Sequence, residues 1–435
     1  MPDDEETSPD EAEPPPIEAG ALSARGSWPT FHGSPSRSGL AEAPSIETPR
    51  IAWQAKVGIQ SWLNSPLVLG KVVFVPTCGD THNVSDSMDG VYALDLETGN
   101  QLWFSRLPLD ANGAAANPQH LVVTCDDGAT RSLDPLTGDP QWVHEGEGKA
   151  YTHPLLLDDL VVVGDASGHL SAYTLATGAT RWTTKLRGAI RGGAGSDGVT
   201  IFAISEDGEA VALTREGREL WRQMVMRPAW EGAGPDVAIE VYSPPIVTDH
   251  DLFVPFARDT YYSTPALLAL DKRTGRVRWH ATSGSDQWGN VRSTPALVED
   301  VLVYGEPYSG DIVGISAVDG QATFRKRVGP CTFPQWSSPA ATPDVVYVPR
   351  FSGSVYAVEP ATGRLRWELY LGDSNHLQDP PDEATDLTGG CDWEAPGHAL
   401  YSPAAIAPNG TLLVGSEEGL LYAVVDGDHG EQRLR

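Results

Sequence analysis

The feature of this sequence that most constrains its fold is an eleven-residue frame, Ala-x-Asp-x-x-Thr-Gly-x-x-x-Trp, which recurs along most of the 435 residues. The frame is complete at Ala93–Trp103 and at Ala269–Trp279. Apolar residues alternate on both sides of the Thr-Gly step, and Gly supplies the positive φ that a tight turn between two strands requires. Each copy therefore predicts two strands joined by a turn. Divergent copies end at Trp142, Trp182, Trp221, Phe324 and Trp367.

A second signature, a Ser or Thr closely followed by Pro and then by two apolar strands, precedes the frame and completes a unit of four strands, A to D. Eight such units can be counted. Repeats of this size close into a ring because a lone blade cannot bury both of its faces. The last unit ends without a D strand, whereas residues 50–57 form a D strand without a blade. We therefore predict an all-β, eight-bladed β-propeller of four-stranded blades, closed by an N-terminal strand that completes the last blade.

The charge of the chain is strongly acidic, with 59 Asp and Glu against 30 Lys and Arg and a net charge of −29. This balance disfavours nucleic acid and anionic membrane surfaces as partners. Residues 1–26 are rich in acidic residues and proline, which predicts a disordered tail, and residues 27–435 are predicted to form the single propeller. No apolar run approaches the length of a membrane span.

Insertions in such a ring can be assigned to one of its two faces. In an antiparallel blade the D-to-A and B-to-C connections leave on one face, and the A-to-B and C-to-D connections leave on the other. The long connections all fall on the first face, which we call the elaborated face: Thr77–Met88, Arg222–Tyr242, Ala257–Thr264 and Gly372–Tyr401. The other face keeps tight Thr-Gly and Asp-Gly turns, and we call it the turn face.

Aromatic residues outside the repeat frame concentrate on the elaborated face. Trp and Tyr are unfavourable to leave in water and are frequent anchors of sugar and protein recognition. Each ring taken singly is equally well explained as a cover for the end of a blade. As a set, we interpret them as a binding face for a protein or a glycan. The candidates are Trp62, Trp230, Trp288, Trp336, Trp393, Tyr242 and Tyr401.

Polar residues at or just before the innermost A strands should surround one mouth of the central channel. A ring of mixed donors and acceptors can hold a small ligand, with Trp62 and Trp336 stacking on a flat substrate. This would make the chain a small-molecule enzyme or sensor. The other interpretation is a set of solvated side chains with waters between them. The residues are Asn64, His153, Arg191, Glu240 and Arg292.

The four cysteines also fall in connections on the elaborated face. Cys78 and Cys125 belong to the neighbouring blades 1 and 2, and Cys331 and Cys391 to the neighbouring blades 7 and 8. Four cysteines allow three pairings, and blade adjacency favours Cys78–Cys125 and Cys331–Cys391. We therefore expect two disulfides that staple the loops, and hence an oxidising compartment. The alternative is a set of free buried thiols in a cytosolic protein.

The repeats, together with the segment Trp28-Pro-Thr-Phe-His-Gly-Ser-Pro-Ser-Arg-Ser-Gly39 ahead of them, resemble those of the pyrroloquinoline-quinone-like (PQQ-like) eight-bladed propellers. That family contains quinoprotein alcohol dehydrogenases and a non-catalytic outer-membrane assembly lipoprotein. The dehydrogenases carry a ring of adjacent cysteines over the cofactor and a calcium or lanthanide site. No two cysteines are adjacent here, and no segment matches the metal or catalytic motifs. The resemblance therefore implies the fold and places the chain nearer to the non-catalytic members.

No cofactor and no metal site are predicted. The sequence contains no His-Glu-x-x-His, Cys-x-x-Cys, P-loop or Gly-x-Ser-x-Gly motif. PQQ and calcium are kept as alternatives. The acidic stretch Asp373–Asp386 could chelate calcium from a loop, but its two adjacent prolines and its spacing favour a solvated loop.

We interpret the chain as an exported bacterial, non-enzymatic propeller that acts as a monomeric binding or scaffold module in the periplasm or outside the cell. Its partner on the Trp- and Tyr-rich face is a protein or a glycan. The N-terminus has neither a basic start nor an apolar core, so a signal or lipoprotein anchor is expected to be absent from this chain, with the acidic tail as a spacer. The alternative is an enzyme or sensor at the channel mouth, a quinone-dependent dehydrogenase included.

Overall fold

Eight four-stranded antiparallel blades form a ring in the computed structural model, which confirms the predicted all-β propeller. The structure describes residues 17–23, 27–146, 148–225, 239–258, 267–281, 291–306, 310–329, 336–372 and 399–427. A 3-10 turn at Ala19–Ala21 precedes the strands. Within these ranges, no helix has the length and apolar character that a membrane span requires.

The first half of the chain forms seventeen strands. They are β1 (Pro49–Lys56), β2 (Leu67–Leu69), β3 (Val72–Cys78), β4 (Asp89–Asp95), β5 (Gln101–Arg106), β6 (Ala111–Ala116), β7 (Leu121–Cys125), β8 (Thr130–Leu133), β9 (Pro140–His144), β10 (Leu155–Leu157), β11 (Leu160–Gly164), β12 (His169–Thr174), β13 (Thr180–Lys185), β14 (Ala194–Ser196), β15 (Thr200–Ile204), β16 (Glu209–Thr214) and β17 (Glu219–Met224). Blades 1 to 4 take four consecutive strands each, from β2 to β17.

The second half supplies the remaining strands. They are β18 (Ile239–Glu240), β19 (Ile246–Val247), β20 (Asp251–Pro255), β21 (Ala257–Arg258), β22 (Leu267–Asp271), β23 (Val277–Ala281), β24 (Ala296–Val298), β25 (Val301–Gly305), β26 (Asp311–Ser316), β27 (Ala322–Arg327), β28 (Ala340–Ala341), β29 (Val346–Pro349), β30 (Ser354–Val358), β31 (Leu365–Tyr370), β32 (Ala405–Ile406), β33 (Leu412–Gly415) and β34 (Leu420–Asp426). Blade 5 is β19, β20, β22 and β23, with β18 and β21 paired beside it; blades 6 and 7 follow as β24–β27 and β28–β31.

Ring closure uses the first strand of the chain. β1 pairs antiparallel with β34, from Pro49 opposite Asp426 to Lys56 opposite Leu420, and becomes the outer strand of blade 8 beside β32–β34. The prediction that an N-terminal strand completes the last blade is confirmed. Blade 8 therefore holds the two ends of the propeller together through a backbone ladder.

Burial follows the position of a strand within its blade. Inner strands are buried on both faces, as in β3, where every residue is buried. Outer strands alternate between exposed and half-buried residues, as in β13. The apolar core consequently lies between neighbouring blades and is divided into several clusters. This distribution explains why the blades depend on one another for stability.

A docking tryptophan joins seven of the eight blades to the next, and blade 6 has Phe324 at that position. Trp182 Nε1 donates a hydrogen bond to the carbonyl of Arg215 in the following blade, at 2.8 Å. Its ring lies against Gly217, where φ is +82° and a Cβ would approach the ring to 2.5 Å. The frame glycine is therefore needed both for the turn and for docking. The same indole N–H donates to a backbone carbonyl, at 2.7 to 3.2 Å, in Trp53, Trp103, Trp142, Trp221, Trp279 and Trp367.

Residues 28–41, which we call the channel segment, run inside the ring along its innermost strands. The backbone of this segment bonds to A strands of six blades, near the turn-face end of each strand. The segment therefore closes the central channel at the turn face. The strand residues that bond to it are Val68, Ala116, Ser196, Val247, Leu297 and Ala341.

Arg37 anchors the channel segment. Its guanidinium is fully buried and donates to the carbonyls of Pro154 and Ala194 at 3.0 and 3.1 Å. It also donates to Thr30 Oγ1 and to the carbonyl of Phe31 within the segment. Burial lowers the pKa of Arg37 to about 9, so the side chain keeps its charge at neutral pH.

Part of the predicted disordered tail is ordered. Residues 17–23 lie against blades 1 and 2, where Leu22 is buried and the backbone N–H of Lys71 donates to the carbonyl of Ala21 at 3.0 Å. The prediction of disorder up to residue 26 is therefore wrong for these residues. The reason is that Ile17 and Leu22 supply apolar side chains that pack on the core between the two blades.

Candidate functional site

A cavity of about 450 Å³ opens on the elaborated face, at the end of the channel opposite the channel segment. Its walls come from D-to-A and B-to-C connections of several blades. One part of the lining is aromatic, with Trp62, Tyr151, Tyr242, Trp336 and Tyr401. The other part is polar, with Cys78, His82, Asp110, Asp126, Arg191 and Glu417.

Three of the predicted aromatic residues contact one another at the rim of this cavity. Trp62 and Trp336 have ring centroids 5.4 Å apart, and Tyr242 packs edge-on against both, at 5.4 and 4.6 Å. Each of the three is half-buried. We call them the aromatic cluster. The Arg292 guanidinium lies 4.7 Å from the Trp336 ring and 5.8 Å from the Tyr242 ring, so a cation is part of the same patch.

Two further predicted residues line the cavity away from the aromatic cluster. Tyr401 packs edge-on against Phe351, with centroids 5.0 Å apart. Arg191 forms an ion pair with Glu206 and lies 6.0 Å from the ring of Tyr151. The structure therefore brings Arg191, Tyr242, Trp62, Trp336 and Tyr401 to one opening.

Asn64 and His153 do not surround the channel mouth, and the prediction that they do is wrong. Asn64 is fully buried, and its amide donates to the carbonyl of Ala111 at 2.5 Å, which ties blade 1 to blade 2. His153 is also buried and stacks on Phe31 of the channel segment, with centroids 3.9 Å apart. For His153 the error arises because the channel segment covers the inner face of its A strand. For Asn64 it arises because the side chain turns into the contact between blades 1 and 2.

The same burial lowers the pKa of two histidine side chains in and beside the channel segment. Burial lowers the pKa of His32 to about 3, with the nearby Arg37 cation acting in the same direction. Burial, together with Arg37 and His32, also holds the pKa of His153 well below its usual range. Both rings are therefore neutral in the folded protein at neutral pH.

Several predicted residues lie outside the described residues. They are Trp230, Trp288, Trp393, Cys331, Cys391 and the stretch Asp373–Asp386. Glu240 belongs to β18, which pairs with β21, and only its backbone is described.

The prediction of a Cys78–Cys125 disulfide is wrong, because both cysteines are free and buried. Cys78 Sγ lies 3.1 Å from Asn64 Oδ1, on the cavity side. Cys125 Sγ lies 3.2 Å from the carbonyl of Leu109. The two thiols lie in neighbouring blades, but each contacts a different connection: Cys78 the one that holds Asn64, and Cys125 the one that holds Leu109. This pair therefore lends no support to an oxidising compartment.

Sequence reasoning missed a group of ligand-type atoms in the wall of the cavity. Cys78, His82 and Asp110 each place a sulfur, nitrogen or carboxylate oxygen within 4.8 Å of the other two. Burial, followed by the charge of Asp110, raises the pKa of the Cys78 thiol well above its usual range. The signal in the sequence was the Cys-x-x-x-His spacing inside the inserted connection Thr77–Met88, opposite an Asp in the neighbouring D-to-A connection.

The eight docked blades and the plugged channel define a propeller of the PQQ-like class. A family model described as outer membrane protein assembly factor BamB matches residues 37–192, 166–330 and 206–391. The chain belongs to this family, which confirms the resemblance to the non-catalytic side of the class. BamB of Shewanella oneidensis (strain MR-1) is 25% identical over 381 residues, which cover 71% of this chain and 89% of that protein.

Solved structures show the same fold at lower identity. BamB from Moraxella catarrhalis superimposes with a TM-score of 0.61 and 17% identity, over 88% of this chain and 99% of that one. A europium-containing methanol dehydrogenase superimposes with a TM-score of 0.70 and 14% identity, over 92% and 98% of the two chains. Because an assembly factor and an enzyme share the fold, function has to be argued from the site.

The cofactor of the enzymes in this class does not fit the described cavity. Pyrroloquinoline quinone carries three carboxylates, whereas the cavity presents the carboxyl groups of Asp110, Asp126 and Glu417. Arg191, which could pair with a ligand carboxylate, is already paired with Glu206. Like charges in one site repel, so this lining disfavours a tricarboxylate.

Proposed function

We propose that this chain is a non-enzymatic scaffold of the cell envelope that binds a partner protein on its elaborated face. Its relatives are named as outer membrane protein assembly factors, and we extend that role to this chain. The observation that carries the proposal is the aromatic cluster of Trp62, Tyr242 and Trp336, whose rings contact one another and are only partly buried.

Three partly buried rings that contact one another form a surface that favours protein binding. Each ring restricts the others before a partner arrives, so little side-chain entropy is lost on binding. Arg292 adds a cation over two of the rings. Trp, Tyr and Arg are the residue types that most often dominate the free energy of protein interfaces.

The charges beside the cluster indicate the chemistry of the partner. Asp110, Asp126 and Glu417 line the cavity that a partner on the cluster would cover. Asp126 is already paired with Lys149 at 3.3 Å, so a partner segment that places a basic side chain over the cavity would pair with Asp110 and Glu417, whereas an acidic segment would be repelled. We therefore propose an apolar segment with a neighbouring Lys or Arg as the bound element.

We propose that the chain acts as a monomer in the cell envelope, either in the periplasm or outside the cell. A factor for outer membrane protein assembly would act at this location. A single copy suffices to build the binding face, because β1 closes the ring within one chain.

Photocrosslinking in the source organism tests the proposal. A p-benzoylphenylalanine is placed at Trp62 and, as a matched control, at Val318 on the turn face, which is 65% exposed. We expect a protein adduct from position 62 alone, identified by mass spectrometry as a component of outer membrane protein assembly. Adding Trp336→Ala should lower its yield about fivefold or more, which corresponds to a loss of about 1 kcal/mol of binding free energy.

Equal adducts from positions 62 and 318, or none from 62, would contradict the proposal. A glycan adduct at position 62 would show that the partner on this face is a glycan and not a protein.

A small-molecule role is a second candidate, favoured by the cavity volume of about 450 Å³. Native mass spectrometry of the purified chain tests it. A bound small molecule should disappear in Tyr401→Ala, because the ring of this residue lines the cavity. A mass equal to that of the chain alone contradicts this second role.

A further inference from the structure

Three different ligand atoms converge in one wall of the cavity. Cys78 Sγ, a ring nitrogen of His82 and a carboxylate oxygen of Asp110 all lie within 4.8 Å of one another, and His82 Nδ1 is 3.6 Å from Asp110 Oδ2. Cys78 and Asp110 are buried, whereas His82 is exposed. All three line the cavity, so a ligand bound between them would also meet the open space.

The backbone around these residues is fixed. Asn83 adopts a φ of 59°, a conformation that Asn tolerates better than most residues, and its N–H donates to the Asp110 carboxylate at 3.0 Å. This bond ties the connection of blade 1 to blade 2 directly beside His82. The carboxylate of Asp86 organises the rest of the connection by accepting from the backbone N–H groups of Asp80, Thr81 and Met88.

The sulfur is held in place from the opposite side. Asn64 Oδ1 lies 3.1 Å from Cys78 Sγ and also accepts from the N–H and hydroxyl of Ser61 at 2.7 and 2.5 Å. Asn64 therefore holds Sγ in a fixed position within 4.8 Å of the ligand atoms of His82 and Asp110, and metal binding would release the proton that Asn64 Oδ1 now accepts. Such outer partners are what orient the ligands of protein metal sites.

The electrostatic surroundings favour a cation. Asp110 and Asp126 both act on the thiol as nearby negative charges, after burial, which is the larger effect. Glu417 lies close enough to His82 for the two to interact electrostatically. A divalent ion between the three ligands would compensate this concentration of negative charge.

We propose that Cys78, His82 and Asp110 form a binding site for a divalent transition metal of the zinc class, with a fourth coordination position open to the cavity. Thiolate, imidazole and carboxylate are the three ligand types that zinc takes in proteins, and sites with three protein ligands leave a position for water or a ligand. In a tetrahedral zinc site with one sulfur the ligand atoms lie about 3.3–3.6 Å apart, so separations of up to 4.8 Å must shorten by about 1.5 Å at most. The exposed side chain of His82 can make that movement.

The same residue types also occur in nucleophilic thiol sites, but the geometry here is different. A nucleophilic cysteine needs a partner that stabilises the thiolate, such as an imidazolium. The groups beside Cys78 Sγ are the oxygen of Asn64 and the carboxylate of Asp110, which stabilise the thiol instead. The nearby cations Lys149 and Arg191 are paired with Asp126 and Glu206, so a metal ion would supply the positive charge that Asp110 does not receive from them.

Cobalt binding tests the site on the full chain. After treatment with a chelator, the protein is titrated with Co²⁺, which occupies zinc sites and shows a near-ultraviolet charge-transfer band when a thiolate is a ligand. We expect the band to saturate at about one Co²⁺ per chain and to disappear on addition of Zn²⁺. Cys78→Ser should remove the band, and His82→Gln should weaken Co²⁺ binding about tenfold or more.

Two matched variants control for general effects. Cys125→Ser removes the other described free thiol, which lies outside the group. His169→Gln removes a histidine that pairs with Asp165 at 3.3 Å in blade 3. Both should keep the band and the affinity, and thermal unfolding of Cys78→Ser should show a folded chain.

A band that persists in Cys78→Ser, that is lost equally in Cys125→Ser, or that never forms would overturn the proposal. The titration needs no partner, and the crosslinking at Trp62 needs no metal. Failure of one therefore leaves the other standing.

Discussion

The turn face and the elaborated face are built from the same four-stranded unit, but they use it differently. On the turn face the unit is repeated with little change: a frame glycine such as Gly217 receives the tryptophan of the preceding blade, and the channel segment seals the ring. On the elaborated face the connections differ from blade to blade, and together they form a cavity of about 450 Å³ with the aromatic cluster at its rim.

The difference separates residues that stabilise the ring from residues that are free to bind. Docking needs the same geometry at each blade interface, so it fixes the sequence of the frame. Connections on the elaborated face carry no such requirement and can take different lengths and residue types. We therefore expect substitutions on the turn face to act on stability, and substitutions on the elaborated face to act on binding.

The largest expected effect is on the turn face. Trp182→Ala removes the hydrogen bond to the carbonyl of Arg215 and the packing of the ring on Gly217. Loss of a packed aromatic side chain together with a hydrogen bond should lower the free energy of unfolding by about 3–4 kcal/mol. Urea unfolding monitored by circular dichroism measures this change.

Trp182→Phe is the matched control, because it keeps an aromatic ring against Gly217 and loses the hydrogen-bond donor with a small part of the ring. It should lower the free energy of unfolding by about 1 kcal/mol. If Trp182→Ala loses no more than this, docking does not hold the blades together and the contrast between the faces fails.

The second effect concerns the sealed end of the channel and depends on pH. His32 and His153 stay neutral in the folded chain, whereas in the unfolded chain they take up protons below their ordinary pKa of 6.5. Their contribution to stability is therefore complete above pH 6.5 and decreases as the pH falls, by about 1.4 kcal/mol per unit for each residue. For His32 the decrease continues to its folded pKa of about 3.

His153→Phe isolates this effect, since Phe can keep the stacking on Phe31 and cannot be protonated. Its unfolding free energy should depend less steeply on pH than that of the parent, by about 1.4 kcal/mol per unit between pH 6 and 4.5. Asp89, whose pKa is raised by burial to about 6, acts in the opposite direction in both proteins and cancels in the comparison. Equal slopes from urea unfolding at several pH values would show that the channel end opens to protons.

The fold could be predicted from the sequence because the repeat forces each local feature to recur. A Thr-Gly turn and a docking Trp at fixed spacing leave little choice of partner strand, and the unpaired strand at residues 50–57 fixed the closure of the ring. The channel segment was recognised only as a lead-in, because residues 28–41 have no periodicity that would show where they pack. Their position depends on side chains such as Arg37, which bonds to two blades distant in sequence.

The site was predicted less well, for physical reasons that particular residues show. Placing Trp62 and Trp336 on one face needed only the order of strands. Placing Asn64 and His153 required knowing what occupies the channel, and the Cys78–Cys125 pairing required knowing where each thiol points. Side-chain direction within irregular connections depends on tertiary contacts, and the strand pattern does not contain it.

A smaller stability effect is expected on the elaborated face. Trp62→Ala removes ring contacts with Tyr242 and Trp336 that lie at the rim of a cavity, so it should lower the free energy of unfolding by about 1–2 kcal/mol. Urea unfolding beside Trp182→Ala gives the comparison directly. A loss as large as that of Trp182→Ala would mean that Trp62 is a structural residue of the ring.

The smallest effect comes from the one described frame in which Phe replaces the docking Trp. Phe324 packs against Gly363 of blade 7 as the tryptophans do, but it has no donor. In five of the other interfaces the acceptor carbonyl lies three residues before the glycine, as Leu96 precedes Gly99, and Pro360 holds that position here. Phe324→Trp should therefore raise the free energy of unfolding by about 0.5–1.5 kcal/mol in urea, with Trp142→Phe as the reciprocal loss. If Phe324→Trp instead destabilises the chain, the interface between blades 6 and 7 has adapted to the smaller ring, and the turn face is less uniform than its sequence frame indicates.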